Sequence, residues 1–500
     1  MVSCGIYPPV FHHFRERGIY CFKFYKNYKW RYVIIDDTLP CLKVNDVSME
    51  RPRLIYGKCR NNDEFWVALI EKAYAKLHGC YEKLNSGFID DAIQDLTGLN
   101  TRRILLGEDV FRDNERMIDK TWNDLVDYTS DFVSAKNNVL TKFSSIKSMV
   151  SNILLDKNNS ILACSVDAKG KEKQDVIYKG DKSGLISGHA YALLKAFEIP
   201  KPVSKKERKT SRLLLLKNPW GVKEWNGKWS DNSEEVEQNA QLILNALKVK
   251  LPKQKQENIS EDGRFLISFS DFRSIFNNLF IAFQFSPKYI PFYFDDTWND
   301  NAGGIPVENT IANNEEWSKN PQYALSIKKD TNMFISITQE DGRLNDDRFP
   351  FNSSIEETCL MIIRIKEKMK LKTFTNTDRV YISPLKRHRE NSVGIKLEKG
   401  EYIVVCCARD KNSKKKFRLC VWAEDFFIDD EVNGDNFMSK MENVKMERID
   451  KKINPVYINV DNEEKIEQLN DKKRRSLYLQ MKHSIKCQLK ENSEESSENN

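Results

Sequence analysis

The chain has 500 residues, of which 40% are hydrophobic and 31% are charged, a composition typical of a charge-rich globular protein with two or three domains. No apolar run approaches the ~18 residues of a membrane span. The first residues, MVSCGIYPP, lack the basic and apolar regions of a signal peptide. The net charge of +7 is slight, and the basic clusters lack interleaved aromatic residues. Nucleic-acid binding is therefore not predicted.

The cysteine and histidine patterns further restrict the class of protein. The 11 cysteines are scattered and form no CxxC pair, which is typical of reduced thiols in a cytoplasmic protein. The six histidines show no spacing that indicates a zinc site.

The first predicted elements are two strands. Gly18–Phe24 and Trp30–Ile35 are rich in aromatic and β-branched residues, and Asn27 and Lys29 are expected in the turn between them. Asp36-Asp37 follow the second strand. Paired carboxylates can perform acid–base chemistry, but a solvated strand end is the favoured interpretation.

A helix is predicted over Asp63–Leu84, with Asp63 as its N-cap. Its apolar residues recur at helical spacing, namely Phe65, Leu69, Ala73, Leu77 and Tyr81.

A helical segment with one apolar face is predicted over Phe111–Leu155. It is interpreted as a packed helix pair, with a partner-binding insertion as the alternative. Cys164, in the following segment Ile161–Asp167, is predicted to be a core residue.

Two polar residues adjoin the apolar runs further along the chain. His189 begins the run Ala190–Leu194, and Asn218 closely follows the run Leu213–Leu216. Pro219 ends that second predicted strand, because the residue before a proline favours extended geometry. A His with an Asn fits a cysteine protease, in which the imidazole exchanges a proton with a thiol and the amide orients the imidazole. A core histidine and a simple turn are the alternatives.

The segments SGHAYALL and KNPWGVKEWNGKWSDN resemble the His and Asn segments of the calpain family of papain-like, calcium-dependent cysteine endopeptidases. The resemblance continues in Gly18–Pro40, Asp63–Leu84 and Glu261–Phe272. It implies that His189 is the catalytic imidazole, that Asn218 orients it, and that Trp220 shields their hydrogen bond.

The resemblance also implies calcium as the cofactor. Glu224, Asp231 and Asp262 match positions that hold one calcium ion in the family, and Glu64 matches a ligand of another. Calcium requires six to eight oxygen ligands. A further carboxylate of the family falls at Arg264, whose cation removes a ligand and adds repulsion. The expected ligand set is therefore incomplete.

The predicted fold class is α+β, with an N-terminally incomplete papain-like (calpain) core followed by an antiparallel β-sandwich. The segments Trp298–Ile327 and Lys396–Glu424 resemble the sandwich that follows the core in calpains. The predicted divisions are 1–86, a remnant of the first half-domain; 87–286, the second half-domain with a helical insertion at 111–155; 287–428, the sandwich; and 429–500, a polar, partly disordered tail.

This C-terminal part has three further features. The acidic residues Asp341, Asp346 and Asp347 are interpreted as a solvated loop, with binding of calcium or a basic partner as the alternative. Lys472–Arg475 is a basic run of the kind found in nuclear-import signals, interpreted here as a chance cluster. No EF-hand loop is present, so no penta-EF-hand domain for small-subunit pairing is expected.

The family's nucleophile belongs to a Gln-Gly-x-Gly-x-Cys-Trp segment that precedes the strand starting here at Gly18. The residues MVSCGIYPPVFHHFRER do not form that segment, and Cys4 lacks its Gln and Trp neighbours. Two hypotheses follow. The chain belongs to a calpain-like endopeptidase that cuts protein substrates with a Cys absent from this sequence, or it is a non-catalytic relative that binds or scaffolds other proteins.

Overall fold

A computed structural model describes the chain over most of its length. The described residues are 10–14, 17–42, 53–59, 63–106, 115–129, 160–168, 174–200, 210–247, 263–285, 289–298, 303–305, 315–341, 355–366, 369–375, 377–411, 413–424 and 444–449. Several residues weighed above lie outside them, namely Cys4, Asp262, Asp346, Asp347 and Lys472–Arg475, as does most of the predicted insertion.

The N-terminal unit is a three-stranded antiparallel sheet with one helix packed on it. Its elements are β1 (Val10–Phe14), β2 (Ile19–Lys26), β3 (Lys29–Asp36), α1 (Trp66–His78) and a 3₁₀ turn (Tyr81–Leu84). Phe22, Phe24 and Ile35 form its core against Leu69 of α1. Asn27 and Tyr28 connect β2 to β3 with φ of 49° and 66°. Two successive positive φ values characterise the two-residue turn that matches strand twist.

The two strands were predicted correctly, whereas the helix and the turn differ in detail. Lys29 belongs to β3 rather than to the turn. Helix α1 is shorter than predicted because Gly79, with φ of 108°, ends it after His78. Asp63 is not the N-cap, since Phe65 holds that position, and Phe65 is 48% exposed rather than in the core.

The second unit is built on a six-stranded antiparallel sheet in the order β10-β9-β8-β5-β11-β4. Its strands are β4 (Asn100–Leu105), β5 (Ser160–Val166), β8 (His189–Pro200), β9 (Thr210–Lys217), β10 (Arg264–Ser268) and β11 (Asn278–Phe283), with a separate hairpin of β6 (Asp175–Tyr178) and β7 (Asp181–Ile186). The helices are α2 (Ile89–Thr97), α3 (Glu115–Tyr128), α4 (Glu234–Gln238), α5 (Ala240–Ala246) and α6 (Phe269–Ile275).

Both faces of this sheet are buried. Trp122 and Leu125 of α3, with Phe272 of α6, contribute to the hydrophobic cluster on one face, and the helix pair α4–α5 contributes Ile243 and others to a second cluster. Strand β9 is therefore apolar along most of its length, as expected for a strand covered on both sides. Cys164 lies fully buried in the first cluster, as predicted.

The C-terminal unit is a β-sandwich, as predicted. One sheet has the order β12-β19-β14-β17 and the other β16-β15-β18-β13-β20. The strands are β12 (Tyr289–Thr297), β13 (Gln322–Ile327), β14 (Thr331–Gln339), β15 (Thr358–Ile365), β16 (Arg379–Ile382), β17 (Glu390–Leu397), β18 (Gly400–Ala408), β19 (Lys416–Glu424) and β20 (Val444–Arg448), with a 3₁₀ turn at Glu315–Lys319.

The inner faces of the two sheets share one core, which includes Phe292, Ile335, Leu360 and Val404. Strand β20 comes from the segment predicted to be a polar tail. It pairs with β13 and buries Met446.

Asp341 corrects one prediction. It was interpreted as part of a solvated loop, but it is only 4% exposed and forms an ion pair with the buried ammonium of Lys26. The nearby sequence is acidic and polar, so only the tertiary structure reveals the cation that draws Asp341 inward.

Among the described residues, no helix is long and apolar enough to cross a membrane.

Candidate active site

His189 and Asn218 meet because their strands are neighbours in the sheet. Strands β8 and β9 pair antiparallel, so the first residue of β8 lies beside the residue that follows β9. His189 is 7% exposed and Asn218 is fully buried. His189 Nε2 lies 2.8 Å from Asn218 Oδ1. The structure therefore brings together the two residues that the sequence pattern singled out.

The amide of Asn218 has its orientation fixed by three contacts with the backbone. Its Nδ2 donates to the carbonyl oxygens of Val222 and Lys223 at 2.6 and 3.0 Å, and its Oδ1 accepts from the backbone N–H of Trp220 at 3.0 Å. Oδ1 must then be the atom that faces His189, so the imidazole donates its Nε2 proton to it. This network assigns the tautomer and directs any proton exchange with a nucleophile to Nδ1.

Two aromatic rings contact the imidazole. The Trp220 ring lies 4.2 Å from it, centroid to centroid, and the Tyr191 ring lies 5.0 Å away, edge to face. Trp220 is 50% exposed, so one part of the indole covers the imidazole and the rest meets solvent. The indole therefore lies against the imidazole, where the sequence analysis expects a shielding residue.

Tyr191 is a site residue that the sequence analysis missed. Its hydroxyl oxygen accepts a hydrogen bond from the backbone N–H of Ile186 at 2.8 Å, which ties down the turn leading to His189. Burial raises the pKa of Tyr191, so the phenol stays neutral. Tyr191 is two residues beyond His189 on one strand, and that spacing places both side chains on the same face.

The loop that follows Asn218 depends on close backbone packing. A Cβ on Gly184 would lie 2.0 Å from the carbonyl oxygen of Glu224, and one on Gly263 would lie 2.4 Å from that of Asn218. Both glycines also have positive φ. Glu224 Oε1 accepts from the N–H of Gly263 at 2.8 Å, so this carboxylate helps to hold the loop in place.

The predicted calcium ligands are only partly brought together. Glu224 and Asp231 line one solvent-facing pocket, together with Glu235 and Ser230. Asp262 lies outside the described residues, and Glu64 is exposed just before α1. Arg264 begins β10, opposite Lys217.

Within the described part of the chain, the one group of His, Cys, Asp or Glu side chains close enough to share an ion is His78, Asp95 and Asp341. It includes none of the four residues that the resemblance assigns to calcium, and of the acidic residues for which calcium binding was the alternative it includes Asp341. Glu224 and Asp231 thus provide carboxylate oxygens of the type that calcium prefers, but fewer than a complete set.

Five of the described cysteines have thiols with a raised pKa, which disfavours the thiolate form. Burial raises the pKa of Cys21 and Cys359 to about 11, that of Cys420 to about 12, and also those of Cys59 and Cys407. A nucleophilic cysteine requires a lowered pKa. None of these five has the electrostatic environment of a catalytic thiol.

Comparison with protein families agrees with this geometry. Residues 6–283 match the model of the calpain family cysteine protease, and residues 294–422 match domain III of the calpain large subunit. The chain belongs to the calpain family. The N-terminal unit and the six-stranded unit together are called the protease core below, and the sandwich corresponds to domain III.

Individual relatives are distant but match over long segments. The chain is 26% identical to Calpain-5 of Caenorhabditis elegans over 437 residues, which is 82% of this chain and 60% of that protein. It is 28% identical to Calpain clp-4 of the same species over 453 residues, covering 81% and 53% of the two chains. It is 28% identical to the calpain-type cysteine protease DEK1 of Zea mays over 341 residues, covering 66% and 12%. The chain thus spans 60% or less of the length of these relatives.

Replacing Asn218 with Ala is expected to let the His189 imidazole populate both neutral tautomers. The variant loses the oxygen that accepts the Nε2 proton, so ¹⁵N NMR of His189 should change from one tautomer to a mixture. Asn226→Ala is the matched control, because the exposed Asn226 side chain donates to the carbonyl of Lys182 in β7 at 2.7 Å. An unchanged His189 spectrum in Asn218→Ala would contradict the assignment.

Replacing Gly184 with Ala should destabilise the fold more than replacing Gly180. Both residues have positive φ, 79° and 97°, so each substitution incurs backbone strain of about 1–2 kcal/mol. Only Gly184 also has a carbonyl within 2.0 Å of the new Cβ, whereas nothing lies within 4 Å at Gly180. Chemical denaturation of both variants measures the difference. Equal losses in the free energy of unfolding would show that close packing on Glu224 is unimportant.

Proposed function

We propose that this chain is part of a calpain-like cysteine endopeptidase that cuts proteins by acyl transfer. The observation that carries the proposal is the buried hydrogen bond from His189 to Asn218 beside Trp220. A hydrogen-bonded imidazole with an amide partner is the general-base half of a cysteine-protease site.

The proposed reaction assigns a role to each of these groups. Nδ1 of His189 takes the proton of a thiol, and the thiolate attacks the carbonyl carbon of a peptide bond. His189 then returns the proton to the departing amine, which leaves an acyl-thioester that water hydrolyses. Asn218 keeps the ring oriented throughout, because its oxygen accepts the Nε2 proton in every protonation state.

The thiol in this proposal comes from a Gln-Gly-x-Gly-x-Cys-Trp segment on the N-terminal side of Gly18. The raised pKa values of five described cysteines support a nucleophile other than these. That the described cysteines are thiols rather than disulfides supports a cytoplasmic location.

Calcium regulation is also proposed, with a low affinity. Glu224 and Asp231 would hold the ion in the pocket that they line, and the ion would stiffen the loop that carries Asn218. Arg264 in place of an expected carboxylate favours a weaker site than a full set of ligands would give.

The alternative is a non-catalytic calpain relative that binds other proteins through the same fold. Arg264 favours it, since loss of a calcium ligand removes a regulator that only an active enzyme requires. The two functions differ in whether a thiolate ever meets His189.

The deciding experiment uses native protein. The 5′ end of its transcript and its intact mass show whether a Cys segment precedes the strand at Gly18. If it does, His189→Ala should lower kcat on a fluorogenic protein substrate by about 10⁴-fold. Trp220→Ala should lower kcat by a smaller factor, because Trp220 only covers the hydrogen bond. Native protein that starts at Met1, or His189→Ala with full activity, would overturn the proteolytic function.

Calcium should raise the melting temperature if the pocket binds it. A shift of about 2–4 °C at calcium concentrations near ten times Kd is expected. The double variant Glu224→Gln, Asp231→Asn should remove the shift. Magnesium should raise the melting temperature of the wild type only slightly, because it binds poorly to a flexible loop site. A shift that survives in the double variant would place the calcium elsewhere.

A further inference from the structure

A buried ionic cluster joins three parts of the chain that lie far apart in sequence. It consists of Lys26, His78, Asp95, Asp341 and Arg389, and is called the junction cluster below. Lys26 ends β2, His78 ends α1 and Asp95 lies in α2, whereas Asp341 follows β14 and Arg389 precedes β17 in the sandwich. All five side chains are 5% exposed or less.

Lys26 is the centre of the cluster. Its ammonium donates to Asp95 Oδ2 and to Asp341 Oδ2, and its Nζ lies 2.9 Å from His78 Nε2. Arg389 Nη1 donates to Asp95 Oδ1 at 2.6 Å. Burial would raise the pKa of Asp95, but the cations of Arg389 and Lys26 outweigh it and lower that pKa. Within these five side chains two cations and two carboxylates balance when His78 is neutral, and the buried carboxylate of Asp91 also acts on Arg389.

The contacts of His78 require the neutral form. Its Nδ1 lies 2.9 Å from the carbonyl oxygen of Tyr74 and must carry the proton there, so Nε2 accepts from Lys26. A proton on Nε2 would remove that acceptor and set an imidazolium beside an ammonium. Asp95 and Asp341 lie 3.9 Å from Nε2 and would favour the charge, but Lys26 and Arg389 already bond their oxygens. The result is the loss of a buried hydrogen bond and a like-charge contact in its place.

His388 is a second histidine at the same interface, and its surroundings also disfavour the protonated form. Burial, reinforced by the cations of Arg103 and Lys386, lowers the pKa of His388 to about 3. Arg103 belongs to β4 of the protease core and is held by a bidentate contact with Asp90. His388 directly precedes Arg389 of the junction cluster. Because Arg103 belongs to the core, its part of the effect on His388 is present only while the sandwich is packed on the core.

The tip of the β2–β3 hairpin, at Asn27 and Tyr28, contacts the sandwich at this interface. The hydroxyl of Tyr28 donates to the carbonyl of Thr338 at 2.7 Å, and Asn27 Oδ1 accepts from the N–H of Asp341 at 2.9 Å. The guanidinium of Arg418 lies over the Tyr28 ring at 4.6 Å. The hairpin tip therefore docks on the sandwich next to Lys26.

We propose that this interface is an acid-sensitive clasp, in which proton uptake by His78 and His388 releases the hairpin tip and the sandwich from each other. A histidine freed from the interface takes up a proton near its ordinary pKa of about 6.5, whereas the docked form excludes that proton. The clasp is therefore fully closed above about pH 7 and weakens as the pH falls.

Glu390 is a competing acidic group at this interface. It accepts from Asn100 Nδ2 at 2.7 Å and from the N–H of Thr101 at 2.6 Å. Burial raises its pKa, and these donors oppose that shift. Because protonation of this carboxyl would also weaken the interface, Glu390→Gln separates its contribution from that of the histidines.

Hydrogen exchange of the full chain tests the clasp. Amide protection in β2 and β3, corrected for intrinsic exchange, should fall by at least about tenfold between about pH 7.5 and pH 5.0, since each pKa unit of linkage is a factor of ten. The double variant His78→Gln, His388→Asn should lose that dependence on pH. Flat protection in the wild type, or an undiminished response in the double variant, would overturn the proposal.

Two controls and a fallback complete the test. His189→Ala and Glu390→Gln should keep the wild-type response, because neither changes a clasp histidine. Loss of the response in Glu390→Gln alone would assign the trigger to that carboxyl and overturn the proposal. If the double variant does not fold, His388→Asn alone should reduce the response, and a response equal to that of the wild type would contradict the clasp.

Discussion

The hydrogen bond between His189 and Asn218 depends on a single constraint, namely that β8 and β9 are adjacent and antiparallel. Their register sets the start of one strand beside the end of the other. The amide is then held by three backbone partners, all within five residues of Asn218. The site is thus built mainly from backbone geometry, and the two polar side chains have little freedom once the sheet has formed.

That local character explains why this part of the site could be predicted from sequence. The apolar run before Asn218 and the proline after it specify a strand end, and His189 begins another apolar run. The same reasoning applies to the strands of the N-terminal hairpin and of the sandwich, whose alternation is a short-range property of the chain. Tyr191 was missed, although its two-residue spacing from His189 was visible, because nothing local revealed that its hydroxyl serves a backbone N–H.

The junction cluster was beyond sequence reasoning for a different reason. Lys26 and Asp341 are 315 positions apart, and each looks like an ordinary surface residue beside polar neighbours. Burial of such residues becomes tolerable only when opposite charges arrive together, so the relevant information is tertiary. The end of helix α1 at Gly79 was also not predictable from sequence alone. A glycine inside a helical pattern either ends the helix or is tolerated within it, and the surrounding structure decides which.

The two-residue turn at Asn27 and Tyr28 has a consequence for how the molecule can be divided. Because that turn sends Lys26 into contact with both α2 and the sandwich, the ammonium has its full set of anionic partners only when all three segments have folded. A core prepared without the sandwich would retain the Lys26–Asp95 pair, but water would have to replace the hydrogen bonds that Asp341 and Arg389 supply. The boundary between protease core and sandwich, clear in the sequence families, therefore passes through one shared network of buried charges.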